Sequence, residues 1–293
     1  MTSRHDSWNF AEGDQLTPEL TAMRFLGGGS SYEAYLAFDE ITFSPVVVKV
    51  IRPGGVEDES SLRGLRHEVA ALTAINHPVM VRCLRHELQG ERPHVVLEHI
   101  DGPRLSSLIR RHGPLQEQQY LPLAIDLASA LHYLRHIDYV HLDIKPSNII
   151  MGAPARLIDL SVARPATKAA ELTRYIGTDL YMSPEQAAPQ RIGRPGVASD
   201  VWGLGATLFE AVAGYRPFDD GDPHSDDPTV RFPQLLEPPY ELPDRVPGEV
   251  AKVLYGALEA DPADRPLPHE IATALEPVLA RQPVGKLTFK VRG

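Results

Sequence analysis

The spacing of apolar residues divides the chain into a strand-rich first third and a helical remainder. Four segments before residue 101 concentrate β-branched and aromatic residues between turn signals, which is typical of β-strands. They read TAMRFLG, YEAYLAF, PVVVKVI and HVVLEHI. A helix is predicted between the third and fourth segments, because apolar residues there recur at helical steps: Leu62, Leu65, Val69, Leu72 and Ile75.

Helical periodicity dominates after residue 101. Four segments each carry an apolar stripe and are separated by loops rich in Pro and Gly: QYLPLAIDLASALHYLRH, ASDVWGLGATLFEAVAG, EVAKVLYGALEA and HEIATALEPVLA. We therefore expect a small strand-rich lobe followed by a larger helical lobe. The expected units are an N-terminal extension, two lobes and a C-terminal tail, at residues 1–19, 20–100, 101–280 and 281–293.

Charge and composition narrow the classes of partner and compartment. With 29 Lys and Arg against 39 Asp and Glu, the net charge is −10, so binding to nucleic acid is not expected. The lone cysteine, Cys83, excludes an internal disulfide framework and favours a reducing compartment. We find neither the apolar core of a signal peptide nor an apolar run near the roughly 20 residues of a membrane span. We expect a cytoplasmic protein, whose oligomeric state the sequence leaves open.

The stretch GGGSSYEAY, residues 27–35, begins like a phosphate-binding glycine loop. In a G-x-G-x-x-G pattern the first two glycines are Gly27 and Gly29, but Tyr32 takes the third position and cannot freely adopt a positive φ. Glycine-rich turns are common, so this stretch alone does not separate a nucleotide site from an ordinary loop.

The segment HLDIKPSN, residues 141–148, brings a base, a cation and an amide close together in sequence. This combination suits phosphoryl transfer. Asp143 could accept the proton of a hydroxyl, Lys145 could neutralise charge on the moving phosphoryl group, and Asn148 could bind a metal ion. Asp159, in the strand-like run LIDLS, supplies a second oxygen ligand suited to Mg²⁺.

A second candidate group lies upstream. Lys49 is flanked by valines in VVVKV, and a lysine in such an environment needs a partner of opposite charge. Glu68 lies on the predicted helix, and pairing with it would hold the Lys49 ammonium where it can reach the phosphates of a nucleotide. A purely structural ion pair is the alternative.

Taken in order, these motifs resemble the eukaryotic-type (Hanks-type) serine/threonine protein kinase family over nearly the whole chain. HLDIKPSN is similar to the catalytic loop, DLS to the D-F-G metal site, and GTDLYMSPEQ to the segment ending in A-P-E. SDVWGLG resembles the central helix of the large lobe, and DPADRP would place Arg265 opposite Glu185. The use of arginine over lysine, the many prolines and YMSPEQA favour a bacterial member.

The resemblance implies an α+β, bilobal protein-kinase-like fold, with a small antiparallel-sheet lobe that contains one helix and a larger, mainly helical lobe. It implies ATP with Mg²⁺, or with Mn²⁺ as the alternative, and Asn148 and Asp159 would bind the metal ion. Asp143, Lys145, Lys49 and Glu68 would be the catalytic residues. The nucleotide would contact Gly27, Gly28, Gly29, Ala34, Val47, Lys49, Leu97, Glu98, Ile100 and Ile150. Lys145 favours Ser and Thr hydroxyls of proteins as acceptors.

The chain departs from the family pattern at three positions. Tyr32 replaces the third glycine, which should stiffen the loop, and Ser161 replaces the glycine of D-F-G, which should restrict the backbone beside Asp159. Leu142 replaces the arginine that in many relatives pairs with a phosphorylated loop. We therefore expect autophosphorylation, if any, at Thr173 or Thr167, with little effect on rate.

Two other functions remain open at this point. A pseudokinase would bind nucleotide and regulate a partner without catalysis, and the three departures favour it. A small-molecule phosphotransferase would share H-x-D-x-x-x-x-N, although MSPE, DVWGLG and Arg265 argue for a platform that receives protein substrates.

Overall fold

The computed structural model describes residues 7–283. An antiparallel sheet of six strands, in the order β1-β2-β3-β4-β6-β5, forms the first lobe. Its strands are β1 (Gln15–Thr17), β2 (Leu20–Gly28), β3 (Tyr32–Asp39), β4 (Ser44–Ile51), β5 (Cys83–Glu87) and β6 (His94–Glu98). Helix α1 (Glu59–Ala74) lies between β4 and β5 in sequence and is capped by Asp58, whose side chain accepts a hydrogen bond from the Ser61 amide.

The second lobe is mainly helical. Its helices are α2 (Leu105–His112), α3 (Glu117–His136), α4 (Ala166–Ala170), α5 (Pro184–Ala187), α6 (Val197–Ala213), α7 (Pro228–Arg231), α8 (Gly248–Ala257) and α9 (Pro268–Ala280). Two short antiparallel pairs lie among them, formed by β7 (Tyr139–Val140) with β10 (Arg164–Pro165) and by β8 (Ile149–Ile150) with β9 (Arg156–Leu157). Helix α6 is almost wholly buried, so it forms the centre of this lobe.

The N-terminal residues pack on the outer face of the sheet. The ring of Trp8 stacks on Phe10, and its indole N–H donates to the carbonyl oxygen of Ile51 at 2.7 Å. The Trp8 amide also donates to the carboxylate of Glu33, a buried acid in β3. Leu16 in β1 is almost wholly buried in the same apolar cluster. The sheet therefore includes residues before position 20, where the lobe boundary is predicted.

The predicted fold class is confirmed, and so are the helices and strands that carried it. Each apolar stripe predicted after residue 101 is a helix, and the four strand-like segments correspond to β2, β3, β4 and β6. Several elements were not predicted from apolar periodicity, including β1, β5, α2 and the short helices α4, α5 and α7. Cys83 at the start of β5 is half-buried.

The predicted tail, 281–293, lies largely outside the described residues. No helix within residues 7–283 is long and apolar enough to cross a bilayer.

A buried ion pair connects α5 to the loop before α9. The guanidinium of Arg265 binds both carboxylate oxygens of Glu185, at 2.8 and 3.0 Å, and both side chains are 0% exposed. Arg265 also donates to the carbonyl oxygens of Ala198, Glu259 and Ala260. These hydrogen bonds replace those that the guanidinium would make with water. The ion pair therefore holds α5, which precedes α6, against the loop before α9.

Replacing Arg265 by alanine should lower the free energy of unfolding by about 3–5 kcal/mol, because Glu185 would stay buried without its cation. Arg281→Ala is the matched control: it breaks a pair with Glu249 whose side chains are 58% and 55% exposed, and it should leave the free energy of unfolding nearly unchanged. Urea denaturation followed by tryptophan fluorescence measures both. Similar losses for the two variants would contradict the assignment.

Candidate active site

Lys49 lies at the meeting point of the two lobes. It is on β4, and its ammonium is 2.5 Å from Oε1 of Glu68 on α1 and 3.1 Å from Oδ1 of Asp159 in the loop after β9. The predicted pair of Lys49 and Glu68 is therefore present, and Asp159 joins it. A single cation thus connects the sheet, helix α1 and the helical lobe.

The two carboxylates keep this lysine charged. Burial by itself would lower the pKa of Lys49, but the charges of Glu68 and Asp159 raise that pKa above its ordinary value. Burial has the opposite effect on a carboxylate and would by itself raise the pKa of Asp159. The Lys49 ammonium and the hydrogen bond from Ser161 nevertheless hold that pKa below its ordinary value. Asp159 is therefore ionised near neutral pH, as a metal ligand must be.

The catalytic-loop side chains form a closed hydrogen-bond network. One oxygen of Asp143 accepts from Lys145 Nζ at 2.7 Å and from Asn148 Nδ2 at 3.1 Å, and the other accepts from the hydroxyl of Thr178 at 2.7 Å. Lys145 also donates to Thr178 Oγ1 at 2.5 Å. The three residues predicted from HLDIKPSN therefore lie together, and Thr178 joins them from the segment before α5.

The backbone on either side of this network is in the left-handed region at two non-glycine residues. Leu142 has φ 64° and Asp159 has φ 70°, conformations that cost energy unless the surroundings fix them. Asp200 on α6 restrains the backbone at Leu142, because its carboxylate accepts from the amides of His141 and Leu142, both at 2.7 Å. Complete burial raises the pKa of Asp200 to about 7, although the two amide donors oppose that rise.

Leu142 occupies the position at which the family pattern has an arginine. Its side chain is buried in an apolar cluster that includes Val140 and Ala169 of α4, with Val162, Ala166, Leu172 and Ile176 packed around it. The segment between Asp159 and α5 is therefore held against the catalytic loop by apolar contacts. Thr167 and Thr173, the predicted phosphorylation sites, are both exposed on this segment.

The glycine-rich turn joins β2 to β3. Gly27 has φ 131°, and a Cβ at Gly28 would collide with the carbonyl oxygen of Tyr32, so neither position suits another residue. The turn closes through a bond of 3.1 Å from the Gly29 amide to that same carbonyl. Arg52 fixes it further, because its guanidinium donates to Gly29 O at 2.9 Å. The turn is therefore restrained by the sheet.

The residues predicted to surround adenine lie on the adjoining strands. Ala34 on β3 pairs in register with Lys49, and Val47 on β4 pairs with Leu97 on β6. Leu97 is 5% exposed, as a residue behind a nucleotide pocket would be. Ile100 follows β6, and Ile150 lies on β8; both are half-buried.

The side chain of Glu98 forms ion pairs with Arg82 and Arg156. Its carboxylate is therefore engaged in structural contacts, which leaves the backbone of Glu98 as the group that could meet adenine.

Sequence reasoning missed two residues that position the loops. Gln186 on α5 is buried, and its amide donates to the carbonyl oxygens of Leu142 and Ile176, at 2.8 and 3.0 Å. The other is Asp200, which lies in the SDVWGLG motif that was identified from sequence only as the central helix. The S-x-x-Q pattern of Ser183 and Gln186 signals a helix start, but it gives no sign of the contact with Leu142.

Comparison with known proteins finds a matching family and several similar proteins. The protein kinase domain family matches residues 20–274. The serine/threonine-protein kinase PknB of Mycobacterium leprae is 30% identical over 252 residues, which cover 82% of this chain and 39% of that protein. A serine/threonine-protein kinase of Corynebacterium efficiens is 31% identical and covers 85% of this chain and 48% of its own length. PrkC of Bacillus subtilis is 29% identical, over 71% of this chain and 32% of its own length.

The chain spans less than half the length of these relatives. The family match extends over most of the sequence and contains every residue of the Lys49, Asp143 and Asp159 clusters. The chain belongs to the protein kinase domain family.

Proposed function

We propose that this chain transfers the γ-phosphoryl group of ATP to Ser and Thr hydroxyls of protein substrates. The observation that carries the proposal is the closed network around Asp143, which holds a carboxylate, an ammonium and an amide within hydrogen-bond reach of one another. An ordinary ion pair between Asp143 and Lys145 would need neither Thr178 nor Asn148, yet both donate hydrogen bonds to the Asp143 carboxylate. Such convergence favours chemistry over a structural role.

In this proposal Asp143 orients the acceptor hydroxyl and accepts its proton as the oxygen attacks the γ-phosphorus. Lys145, already bound to Asp143, neutralises charge on the transferred group, and the bond to the leaving β-phosphate oxygen breaks. Lys49 contacts the phosphates of the nucleotide, and Glu68 holds it there. Thr178 fixes the orientation of both Asp143 and Lys145.

Asn148 and Asp159 fit a Mg²⁺ ion, which would supply positive charge to the nucleotide phosphates when bound. The amide nitrogen of Asn148 donates to Asp143, which leaves its amide oxygen as the atom able to bind a metal. No cluster of three or more His, Cys, Asp or Glu side chains suited to a metal occurs in the described part of the chain. A small set of protein oxygen ligands completed by substrate phosphates is the pattern that Mg²⁺ adopts at such sites.

Nucleotide binding would use the restrained turn at Gly27, Gly28 and Gly29 for the phosphates and the pocket between Ala34, Val47, Leu97 and Ile150 for adenine. Protein acceptors follow from the relatives, which are named as serine/threonine-protein kinases. The ion pair of Arg265 with Glu185 supports the segment that would receive such a substrate. We place the activity in the cytoplasm, since a single cysteine suits a reducing compartment.

A regulatory pseudokinase is the second candidate, and one observation favours it. The ring of Tyr32 lies on the cleft side of the sheet, with its centroid 5.3 Å from Lys49 Nζ, in the region that nucleotide phosphates would approach. The intact contacts of Lys49, Asp143 and Asp159 favour catalysis instead.

Asp143→Asn should lower phosphate transfer by about 100-fold or more, because the amide cannot accept the proton of the acceptor hydroxyl. The measurement is transfer from labelled ATP with Mg²⁺ to a generic basic protein, beside thermal stabilisation by nucleotide. Asp138→Asn is the matched control: it is the same exchange at an exposed residue of the neighbouring turn, and activity should persist.

The same assay separates the candidate functions. Thermal stabilisation by nucleotide without turnover in the unaltered chain would identify a pseudokinase, and transfer only to small acceptors would identify a small-molecule phosphotransferase. Undiminished transfer by Asp143→Asn would overturn the role given to this residue.

Thr167→Ala and Thr173→Ala, singly and together, should change the phosphorylation rate by about twofold or less, since both residues are exposed and Leu142 offers no charge to a phosphate. Thr178→Ala should reduce the rate sharply, because it removes bonds to Asp143 and Lys145. Phosphopeptide mapping with initial rates checks all four proteins. A large loss in Thr173→Ala would show control by phosphorylation of this segment.

A further inference from the structure

Tyr32 extends from the sheet towards the cleft. Along β3 the buried residues alternate with half-buried ones, and Tyr32 shares the half-buried face with Ala34. Ala34 pairs in register with Lys49, so Tyr32 is a diagonal neighbour of that lysine on the same face. The aromatic ring therefore lies beside the ammonium, with 5.3 Å between Nζ and the ring centroid.

The far end of this ring reaches helix α1 at Gly64. A Cβ built on Gly64 would lie 2.8 Å from the hydroxyl oxygen of Tyr32 and 3.9 Å from its Cζ, so a side chain at this position would displace the phenol. Gly64 precedes Glu68 by four residues, which places both on one face of α1. The hydroxyl of Tyr32 thus meets the helix one turn before the residue that binds Lys49.

Glycine is a poor choice for this helix position unless the contact requires it. Gly64 lies in the interior of α1, next to the fully buried Leu65, and glycine destabilises a helix interior relative to alanine. Its φ is not in the left-handed region, so backbone geometry does not demand glycine here. The close approach of Tyr32 is the feature of the structure that does.

The backbone of Tyr32 is equally fixed at the other end. Its carbonyl oxygen accepts the bond from Gly29 that closes the glycine-rich turn. Burial, followed by the charge of Glu68, raises the pKa of Tyr32 to about 12, so the phenol stays neutral. One residue thus contacts the turn, the lysine and the helix through fixed atoms.

We propose that Tyr32 is a positioning residue whose ring, seated against Gly64, couples the glycine-rich turn to α1 and so keeps Glu68 bound to Lys49. A glycine at position 32, as in the family pattern, could make no such bridge. In this proposal the contact between Tyr32 and Gly64 sets the position of α1. The kinetic part of this inference rests on the proposed function, but the structural part does not.

A double-mutant cycle between Tyr32→Gly and Gly64→Ala tests the contact. Each single variant should lower kcat about tenfold, with a smaller change in KM for ATP, because each releases α1 and misplaces Glu68. In the Tyr32→Gly background, Gly64→Ala should have almost no further effect, since the added methyl group meets no ring. Tyr32→Phe, which keeps the ring, should retain most of the rate.

Two controls match these changes. Phe38→Gly removes an aromatic ring from the same face of β3, where it contacts Phe43, and Arg63→Ala adds helix propensity at an exposed position of α1. Neither should reproduce the loss in kcat.

Hydrogen exchange of the α1 amides provides a readout that needs no catalysis. Exchange in residues 65–74 should be faster in either single variant, and Gly64→Ala should add nothing, or should slow it, in the Tyr32→Gly background. Additive effects, or exchange unchanged in Tyr32→Gly, would overturn the inference. If the unaltered chain transfers no phosphate, the proposed function fails while the exchange cycle still decides the role of Tyr32.

Discussion

The structure depends on one electrostatic constraint, which is the burial of the Lys49 ammonium between strands rich in valine. A charge in that environment is costly unless carboxylates compensate it. Glu68 arrives from α1 and Asp159 from the helical lobe. Because each partner lies on a different element, neutralising the lysine also fixes how the sheet, the helix and the second lobe meet.

The loop that carries Asp143 is held in an unfavourable backbone conformation by α6. Leu142 and Asp159 both have positive φ, and Asp200 restrains the first of them through two amide bonds. Asp200 is fully buried within the helix that forms the centre of the lobe. The rigidity of the core is thereby transmitted to Asp143 over a very short stretch of chain, as a preorganised site requires.

Most of the fold, and the residues that the candidate site brings together, could be predicted from sequence, because helical periodicity and short polar motifs are local signals. The elements that were missed lack such signals: α2 reads LSSLIRRH and β5 reads CLRHE, with few apolar residues in either. The contact between Tyr32 and Gly64 joins positions in separate elements. In the sequence, Tyr32 departs from the glycine-loop pattern, and Gly64 is an unfavourable residue for a helix interior. Their proximity in the structure accounts for both residue choices.

Shortening this chain to the family-matched range of 20–274 would remove the N-terminal segment that packs on the sheet. Such a fragment would lose Trp8, and with it one donor to the buried carboxylate of Glu33 and the cap over the Ile51 carbonyl. Arg52, which anchors the glycine-rich turn, also binds that carboxylate. Shortening the protein at its start would therefore weaken the support of the glycine-rich turn, even though none of the candidate site residues had been removed.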